Sequence, residues 1–586
     1  MLAHDPLMKV LYVDLSRRTF EIRHRPELFE SYLGGVGAGI KLLEEECPAG
    51  CDPLGADNPI VFAVGPLTAL FPLASKTVAV FKSPHTGNLG ESHCGGRSAV
   101  AIRLAGYGAI VIRGKSEMPV YLSIEGDKVT FRDASSIWGL RMDSTGRVIR
   151  EREKGAGFRT IMRIGRAGER LVSYASVATE TYRHFGRLGL GAVFGSKKLK
   201  AIVITGRGEV PVSNLKEYRA LYDEIYDQAV SSPVMKKYHD LGTAENVIPL
   251  QRFGGLPTRN LLEARFEHAE GISGENFAKH YLGRRLACSH CPVGCIHIAA
   301  LREPYEDEPY FYKTSMISYD YEPIFALGSM LGIGDAAGFL RLMDRVEAWG
   351  MDAMSTGVIL AWATEAQEKG LISERETLGL RFTWGDPLPY IEACRLIVEQ
   401  PNDFYRTLAH GVEEAGRIYG NLEGALAYGK NEMPGYHTGP GSHLGYLIGL
   451  RHSHLDSAGY SVDQKTLTER KVEPEELVEM LIAEEEWRQV LSSLVVCFFA
   501  RGIYLPEIVK RSLALCGYVW DEGAIKGIGR EVYREKYRFK VREGFDIERE
   551  RLPGRIFTTP SPVQSFDEIY MRRAVKHWRE VMGRGV

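Results

Sequence analysis

Apolar and polar residues alternate over short stretches in the first third of the chain. Residues 9–24 (KVLYVDLSRRTFEIRH) alternate on both sides of a polar turn, which predicts a β-hairpin. A helix is predicted from Glu27 to Glu46. Further strand-like runs lie at 59–64, 77–81, 109–114, 119–124, 159–165 and 200–206. Short strands joined by glycine-rich turns predict a β-rich first domain over residues 1–208.

The pattern changes to a helical period after Val212. Apolar positions recur at helical spacing in 215–230, 335–349 and 356–369, and Gly370 follows as a helix stop signal. The remainder is predicted to be mainly helical. We therefore expect an α+β multidomain protein, in which the β-rich domain is followed by two mainly helical domains. Their predicted ranges are 209–420 and 421–586.

Length and charge limit the functions to be considered. With 586 residues, 44% of them hydrophobic, the chain can bury several cores. A formal net charge of −2 creates no overall field for nucleic acid or an anionic membrane, so neither is an expected partner. The N-terminus lacks signal-peptide features, and nine cysteines are too sparse for a disulfide scaffold. A cytoplasmic location is therefore expected.

Three of the cysteines lie in one stretch, CSHCPVGC at 288–295. Thiols at this spacing, in a loop that contains Pro and Gly, can converge on one metal centre. Three thiolates satisfy only part of a four-iron cluster, so a fourth ligand must come from elsewhere in the chain. Cys497 is the candidate for that ligand.

Two other interpretations of the cysteine loop stay open from its spacing alone. His290 and His297 could complete a Cys3His zinc site. The cysteines could also be buried without metal, although a loop with Pro and Gly is poorly suited to packing. Cys47 and Cys51, in a Cys-Pro-Ala-Gly-Cys turn, are expected to be structural rather than ligands.

Three glycine-rich stretches could hold phosphate, namely LGGVGAG (33–39), CGGR (94–97) and RHFGRLGLG (183–191). Glycine lets backbone N–H groups approach anionic oxygens, and arginine adds charge-assisted hydrogen bonds. None has the residue order of a dinucleotide site or a P-loop. Glycines that only turn the chain are the simpler interpretation, and the third stretch, with two arginines, is the most site-like.

Taken together, these motifs resemble the aldehyde:ferredoxin oxidoreductase family of tungsten enzymes. Blocks in family order run along nearly the whole chain: YLGG (32–35), SPHTGNLGESHCGGR (83–97), LAGYGAIVIRGKSE (104–117), GRLGLGAVFGSKKLKAI (186–202), CSHCPVGC (288–295), YEPIFALG (321–328) and AWGMDAMSTG (348–357). The resemblance implies a β-rich base for a tungsten (or molybdenum) bis-pterin cofactor, with two helical domains over it. It also implies a 4Fe-4S cluster, whose ligands fall on Cys288, Cys291, Cys295 and Cys497.

The resemblance also assigns cofactor-binding positions. The phosphate and Mg²⁺ side falls on Lys76, His93, Gly95, Arg183 and the backbone at His184. The family motif Asp-x-x-Gly-Leu-Asp is EAWGMD here, with Glu347, Gly350 and Met351 as pterin contacts. Its second copy, Asp-x-x-Gly-Leu-Cys, is SSLVVC, with Ser492 and Val496 as contacts. This second copy has lost a carboxylate and a glycine, so a weaker contact is expected there.

At the metal, Glu322 matches the family acid near the substrate and is expected to act as a general base or orienting group. The family histidine that precedes the pterin-binding lysine by two positions is Tyr428 here, before Lys430. A phenol at that position would donate a hydrogen bond to the substrate. His437, with His452 and His454 behind it in the chain, could supply an imidazole.

The implied reaction is the oxidation of an aldehyde to a carboxylic acid, with electrons passing through the cluster to ferredoxin or an iron–sulfur subunit. A homodimer or a hetero-oligomer would be compatible with it. One alternative is a low-potential reductase of an acyl or aromatic thioester, although no further cysteine near Glu322 could ligate tungsten as in those relatives. The other is an electron-transfer subunit without catalysis, suggested by Ser492 and Val495.

Overall fold

The computed structural model describes residues 5–180, 182–305 and 308–583. A first sheet contains β1 (Lys9–Asp14), β2 (Thr19–His24), β3 (Ile60–Ala63), β4 (Thr77–Lys82), β5 (Leu89–Cys94) and β6 (Ala109–Arg113). Its order is β2-β1-β6-β3-β4-β5, with β1 and β6 parallel and the other neighbours antiparallel. The predicted hairpin is formed by β1 and β2.

A second sheet contains β7 (Val120–Glu125), β8 (Lys128–Asp133), β9 (Phe158–Arg163), β10 (Val177–Ala178), β11 (His184–Phe185) and β12 (Leu199–Gly206). Its order is β11-β10-β9-β12-β7-β8. The six strand-like runs of the sequence fall on β3, β4, β6, β7, β9 and β12, which confirms the β-rich first part. Strand β5 was not predicted because it carries Glu91, Ser92 and His93, polar residues that face a cavity.

Six helices belong to the same part of the chain: α1 (Pro26–Tyr32), α2 (Gly35–Glu46), α3 (Ser98–Leu104), α4 (Met142–Arg152), α5 (Arg166–Glu169) and α6 (Leu190–Ser196). Helix α2 packs on β3 and β4, and α3 packs on β9 and β12. The prediction of one helix over 27–46 is wrong, since α1 and α2 are separate.

The break between α1 and α2 has a packing cause. A Cβ on Gly35 would lie 2.1 Å from the carbonyl oxygen of Ser492, and one on Gly34 would lie 2.5 Å from that of Val64. Leu33 ends α1 in the left-handed region, with φ +64°. The first glycine-rich stretch therefore makes a close backbone contact with the C-terminal part of the chain, and it does not line the cavity.

Helices dominate after residue 214. They are α7 (Leu215–Ser231), α8 (Pro233–Leu241), α9 (Val247–Phe253), α10 (Gly274–His280), α11 (Tyr321–Leu327), α12 (Ala336–Trp349), α13 (Ala353–Glu368), α14 (Pro387–Glu399), α15 (Asp403–Leu408), α16 (Val412–Tyr419), α17 (Pro440–Ile448), α18 (His454–Ser457), α19 (Gly459–Val462), α20 (Pro474–Ser493), α21 (Pro506–Leu515), α22 (Glu522–Arg542), α23 (Arg555–Thr558) and α24 (Glu568–Gly583). The three predicted helices correspond to α7, α12 and α13. Gly370, with φ +69°, follows α13 as expected of a stop signal.

Five strands interrupt this helical part: β13 (Leu282–Leu286), β14 (Ile296–Tyr305), β15 (Glu308–Tyr319), β16 (Ala427–Tyr428) and β17 (Asn431–Glu432). The first three form an antiparallel sheet in chain order, and the last two form a short hairpin. Strand β14 begins directly after Cys295, so the sheet anchors one end of the cysteine loop. These strands refine the mainly helical expectation without changing the α+β class.

Two large apolar cores hold the chain together. One spans the helical part and includes Phe325, Trp362 and Trp578. The other belongs to the two β-sheets, yet it also contains Leu491 and Val532 from α20 and α22. The predicted divisions after residues 208 and 420 stay predictions. What the packing adds is that the C-terminal segment completes the core of the first β-rich part.

Within the described ranges, no single helix has the length and apolar character needed to cross a bilayer. The helical segments Tyr321–Leu331 and Ala336–Trp349 meet that test only as a pair, bent by 114°. Both contribute residues to the helical core, where they are buried by protein.

Candidate cofactor and active site

A cavity lies where strand β5, the 183–188 segment, the cysteine loop and helices α8, α11 and α18 meet. Candidates on its wall are Lys76, His93, Gly95, Arg183, His184, Cys288, Cys291, Cys295, Glu322, Val496 and Cys497. The described residues that line it do not include the candidates Tyr428, His437, Glu347, Gly350, Met351, Lys430 and Ser492. The cavity thus collects the predicted cluster ligands, the phosphate-side residues and the predicted acid.

Main-chain hydrogen bonds hold the cysteine loop beside Cys497. The amide of Leu73 donates to the carbonyl of His290 at 3.0 Å, and the carbonyl of Leu73 accepts from the amide of Cys497 at 2.9 Å. The amide of Ser289 donates to the carbonyl of Gly96 at 2.9 Å. One residue of the first β-rich part therefore joins two segments that are far apart in sequence.

The close packing of the cysteine loop against the first β-rich part also requires glycine at position 95. A Cβ there would lie 2.8 Å from the sulfur of Cys288 and 3.3 Å from the amine of Lys76. Real Cβ atoms do not approach a sulfur that closely, so the second glycine-rich stretch packs against the predicted cluster. Its role is close approach of the backbone, as glycine allows.

The zinc interpretation of the loop finds little support in the side chains. The Nε2 atom of His297 is hydrogen-bonded to the carbonyl of His239 at 3.0 Å, and His290 is exposed outside the cavity lining. Among the described residues, no set of three or more His, Cys, Asp or Glu side chains converges as a single metal ion would require. Four cysteines spread around one cavity suit a multinuclear cluster better than one ion.

Two partly buried cations flank the cysteines. Burial alone would lower the pKa of Lys76, but the neighbouring sulfurs of Cys497 and Cys288 outweigh burial and raise it. Arg183 donates through Nη1 to Asp320 at 2.7 Å. Its pKa lies above the ordinary value, because nearby negative charge outweighs burial. Both side chains therefore stay charged where a phosphate would be expected.

Polar atoms without protein partners suggest a bound group. On the cavity wall, Arg183 Nε, Arg187 Nη1, Asn431 Oδ1 and His454 Nδ1 are buried and have no hydrogen-bond partner within the described part of the chain. An unsatisfied buried polar group costs about 1–3 kcal/mol, so such atoms are rare unless a ligand completes them. The donors and cations fit an anionic, hydrogen-bonding cofactor such as a pterin phosphate.

His93 belongs to a buried charge cluster around Glu91. Its Nε2 donates to the Glu91 carboxylate at 2.7 Å, and Arg451 lies 3.4 Å from the same carboxylate. Lys536 makes a further ion pair with it. Burial lowers the pKa of His93 to about 4, so its imidazole is neutral at pH 7. Arg451 also pairs with Asp456 at 2.6 Å, so two basic side chains and two carboxylates form a charge-balanced network on this wall.

Glu322 lies at the other end of the cavity, in the first turn of α11. Its Oε1 is 3.2 Å from Nε2 of His454 and accepts a hydrogen bond from the hydroxyl of Tyr436 at 3.3 Å. Burial would raise the pKa of Glu322, but these two partners outweigh burial and hold it below the ordinary carboxyl value. The group is therefore a carboxylate at neutral pH.

Aromatic rings enclose this carboxylate. Tyr436 stacks on Tyr460 at a centroid distance of 4.4 Å and lies 5.3 Å from the ring of His454. His454 was one of three histidines that the sequence offered, and the structure brings it to Glu322. The two tyrosines were missed by sequence reasoning; the adjacent His437 was the only local signal for Tyr436.

Tyr428 and His437 lie together, but away from the cavity wall. The hydroxyl of Tyr428 is 2.6 Å from Nδ1 of His443, whose Nε2 is 2.8 Å from Nδ1 of His437. Nε2 of His437 donates to the carbonyls of Thr559 and Pro560, both at 3.2 Å. These polar groups satisfy one another, so neither predicted side chain is available to a substrate in this arrangement.

The position of Tyr428 relative to Lys430 also differs from expectation. Tyr428 pairs with Asn431 across the β16–β17 hairpin, and Gly429 and Lys430 form the turn with φ +51° and +69°. A spacing of two places side chains on one face only within a strand. Lys430 is exposed, whereas Asn431 lines the cavity. The pterin contact of Lys430 stays a prediction.

The two copies of the pterin motif keep one backbone conformation. Gly350 has φ +80°, and Val495, where the family has glycine, has φ +55°. A β-branched residue in the left-handed region is strained, so tertiary packing must hold Val495 there.

Glu347 lies 3.7 Å from the His184 imidazole, and burial raises the pKa of Glu347 to about 8.

Two family models match consecutive parts of the chain. The model for the N-terminal domain of aldehyde ferredoxin oxidoreductase covers residues 10–206, and the model for its domains 2 and 3 covers residues 220–583. The chain belongs to the aldehyde ferredoxin oxidoreductase family. Aldehyde ferredoxin oxidoreductases are tungsten and iron–sulfur oxidoreductases, which agrees with the donors found around the cavity.

Relatives of known name agree with this assignment. Tungsten-containing aldehyde ferredoxin oxidoreductases of Thermococcus kodakarensis and Pyrococcus furiosus are each 32% identical to the chain, over 94% of it and 92% of their own length. An aliphatic sulfonate oxidoreductase, WOR-like subunit, of Pyrococcus furiosus is 31% identical over 71% of the chain and 68% of its own length.

A solved structure shares the fold. It is the active site complex BamBC of benzoyl coenzyme A reductase, with 1,5-dienoyl-CoA bound, and the TM-score is 0.82. The match covers 98% of this chain and 94% of that chain at 22% sequence identity. A protein with a different name thus shares this fold, so the substrate must be argued from the site.

Proposed function

We propose that this protein oxidises an aldehyde to the carboxylic acid and passes the electrons through a 4Fe-4S cluster to ferredoxin or an iron–sulfur subunit. The observation that carries the proposal is the single cavity, in which Glu322 and His454 face the same space as the four cysteines. Resemblance at 32% identity to tungsten-containing aldehyde ferredoxin oxidoreductases supports the same reaction.

Each wall of the cavity has its own task in this proposal. Cys288, Cys291, Cys295 and Cys497 hold the cluster, and the phosphates of a bis-pterin, with Mg²⁺, meet Lys76 and Arg183. When bound, tungsten (or molybdenum) would supply a two-electron redox change and Lewis acidity, and the cluster would supply single-electron transfer.

In this proposal, Glu322 and its neighbours accept a proton that is released when the aldehyde is oxidised. Conversion of an aldehyde and one water to an acid releases two protons and two electrons, so a base at the reacting carbon is needed. The Glu322 carboxylate accepts one proton, while His454 Nε2–H and the Tyr436 hydroxyl hold it in place. The unpartnered Nδ1 of His454 can accept a hydrogen bond from the reacting water or from the hydrate of the aldehyde.

One alternative is a reductase of an acyl or aromatic thioester, because the likeness to the BamBC complex extends over the whole fold. No observation of this cavity favours that substrate. Within the described part of the chain, the cysteines that line the cavity are the four assigned to the cluster, which leaves none to ligate tungsten. Aldehyde oxidation therefore stands first.

Electrons leave, in this proposal, through the wall formed by α8. Tyr238 of α8 stacks on Phe499 at 4.1 Å, beside Cys497, while Val234 of the same helix is 53% exposed. Arg285 and Arg501 border this wall, and neither pairs with a carboxylate within the described ranges. An acidic ferredoxin suits such a surface, because unneutralised positive charge attracts it.

Metal analysis with anaerobic assays tests the proposal. Protein purified without oxygen should contain tungsten or molybdenum with pterin and about four irons per chain. It should reduce ferredoxin with at least one member of an aldehyde panel, and it should not oxidise reduced ferredoxin with any member of a matched panel of acyl and benzoyl thioesters. Iron without tungsten, molybdenum or pterin would support the electron-transfer subunit instead.

A further inference from the structure

Cys47 and Cys51 face each other in a turn outside the cofactor cavity. Their sulfur atoms are 3.3 Å apart and are not bonded. Cys47 ends α2 and is buried, whereas Cys51 is partly exposed. The other end of α2 touches Ser492, so one helix of 12 residues, about 18 Å long, separates the thiols from that contact.

Three charged side chains hold this turn closed. The guanidinium of Arg542 donates to the carbonyl of Cys47 at 3.0 Å, and the amine of Lys82 donates to that of Cys51 at 2.7 Å. The carboxylate of Glu543 accepts from the amide of Gly50 at 3.1 Å and pairs with Lys82. Both cysteine carbonyls are thus fixed, which keeps the two sulfurs in contact.

This arrangement is unusual for two structural cysteines. Sulfur atoms in a disulfide are about 2.05 Å apart, so the pair needs to close by little more than one ångström. Gly50, with φ +70°, allows the tight turn between them. The other buried cysteines, Cys94, Cys394 and Cys516, have no cysteine sulfur partner within the described part of the chain.

We propose that Cys47 and Cys51 are a redox-sensitive thiol pair, which closes to an intramolecular disulfide on exchange with a small-molecule disulfide. The partly exposed Cys51 reacts first. Its thiolate attacks the external disulfide, forms a mixed disulfide and releases one thiolate. Cys47 then loses its proton, attacks the Cys51 sulfur and expels the second thiolate. One external disulfide becomes two thiols, and the protein loses two hydrogens.

The burial of Cys47 agrees with this order of events. Burial, together with the Cys51 sulfur, raises the pKa of Cys47 to about 12, so Cys47 forms little thiolate and is disfavoured as the first nucleophile. The proposal is independent of the aldehyde reaction, because neither sulfur lines the cavity.

The test uses the loaded, anaerobically purified protein in buffers with increasing ratios of oxidised to reduced glutathione. Samples are quenched with acid, alkylated under denaturing conditions and analysed by peptide mass spectrometry. We expect the peptide that contains both cysteines to lose about 2 Da, with no alkylation, while iron content is unchanged. The disulfide fraction should rise from below a tenth to above half within the series.

Variants make the assignment specific. Cys47→Ser should leave a glutathione adduct on Cys51 that cannot resolve, and Cys51→Ser should abolish the reaction. The matched control Cys394→Ser, at a buried cysteine elsewhere, should behave as the parent does. Full alkylation of both cysteines in the parent protein at every ratio, or an adduct on Cys51 that persists beside a free Cys47, would overturn the proposal.

Discussion

The two ends of the cavity are built by different means. At the cluster end, three candidate ligands share one short loop, and Leu73 joins that loop to Cys497 through main-chain hydrogen bonds. At the substrate end, Glu322, Tyr436 and His454 come from separate segments and meet through side chains at 3.2–3.3 Å.

The difference shows where such an enzyme can change. Main-chain hydrogen bonds do not depend on residue type, so the electron-transfer end can stay constant while the sequence drifts. Side-chain contacts change with single substitutions. The contact of His454 with Glu322 is of this kind and lies at the end where substrates would differ, whereas Tyr428 lies off the cavity wall.

The most severe test of the cluster end is Cys497→Ala. Loss of the fourth thiolate should leave a damaged or absent cluster and remove ferredoxin reduction almost completely. Iron content and the EPR signal of the reduced cluster measure this directly. Cys516→Ala, at a buried cysteine off the cavity, is the control. An unchanged EPR signal in the Cys497 variant would remove this residue from the ligand set.

The substrate end is tested by Glu322→Gln. Loss of a positioned base typically lowers the rate by about 10²–10⁴, and turnover should fall by that range with tungsten and iron intact. Because the pKa of Glu322 is held below its usual value, parent activity should persist as the pH falls to about 5. Turnover at the parent rate in a fully loaded variant would mean that another group takes the proton.

A smaller effect on kcat/KM is expected when Tyr436 or Tyr428 is replaced, and it should differ between the two. Tyr436→Phe removes a hydrogen bond to Glu322, so we expect a loss of about threefold to thirtyfold in kcat/KM, which corresponds to about 0.7–2 kcal/mol. Tyr428→Phe should have less effect on kcat/KM, since its hydroxyl contacts His443 rather than the cavity. If Tyr428→Phe lowered kcat/KM more than Tyr436→Phe does, the result would support the prediction that Tyr428 contacts the substrate.

The smallest expected effect concerns stability. The folded protein holds the Glu347 proton up to about pH 8, while the unfolded chain loses it near pH 4.5. Burial of this group therefore destabilises the fold increasingly from pH 4.5 to 8 and by a constant amount above. Glu347→Gln should match the parent protein near pH 4.5 and unfold a few degrees higher at pH 8, measured by calorimetry at equal metal content. Equal unfolding temperatures at both pH values would contradict the raised pKa.

The same contrast explains what sequence alone could predict. The cysteine loop is local, so its spacing carried most of the information, and strands such as β3 and β4 followed from their apolar runs. The break at Gly34 and Gly35 could not be predicted, because its cause is Ser492 at the far end of the chain. Strand β5 was missed because its polar residues serve the cavity.

At the substrate end, spacing was less informative for a physical reason. Tyr428 ends β16 and Lys430 stands in the turn that follows, where the two-residue rule of strands does not apply. The approach of His454 to Glu322 depends on tertiary contacts between α11 and a later part of the chain, such as the hydrogen bond from the Tyr321 hydroxyl to the carbonyl of Gly435, which no local pattern encodes. The sequence could name His454 as one of three candidate histidines, but it could not show which of the three lies beside Glu322.

The junction at Leu73 has a consequence for how the protein is made. Three of the predicted cluster ligands leave the ribosome about 200 residues, or roughly 10–40 s, before Cys497 does. Until then the cysteine loop has neither its fourth thiolate nor the C-terminal segment that completes the core of the first β-rich part. A complete set of the four predicted ligands therefore exists only once the chain has been synthesised past Cys497, so the predicted cluster site cannot be completed before that point.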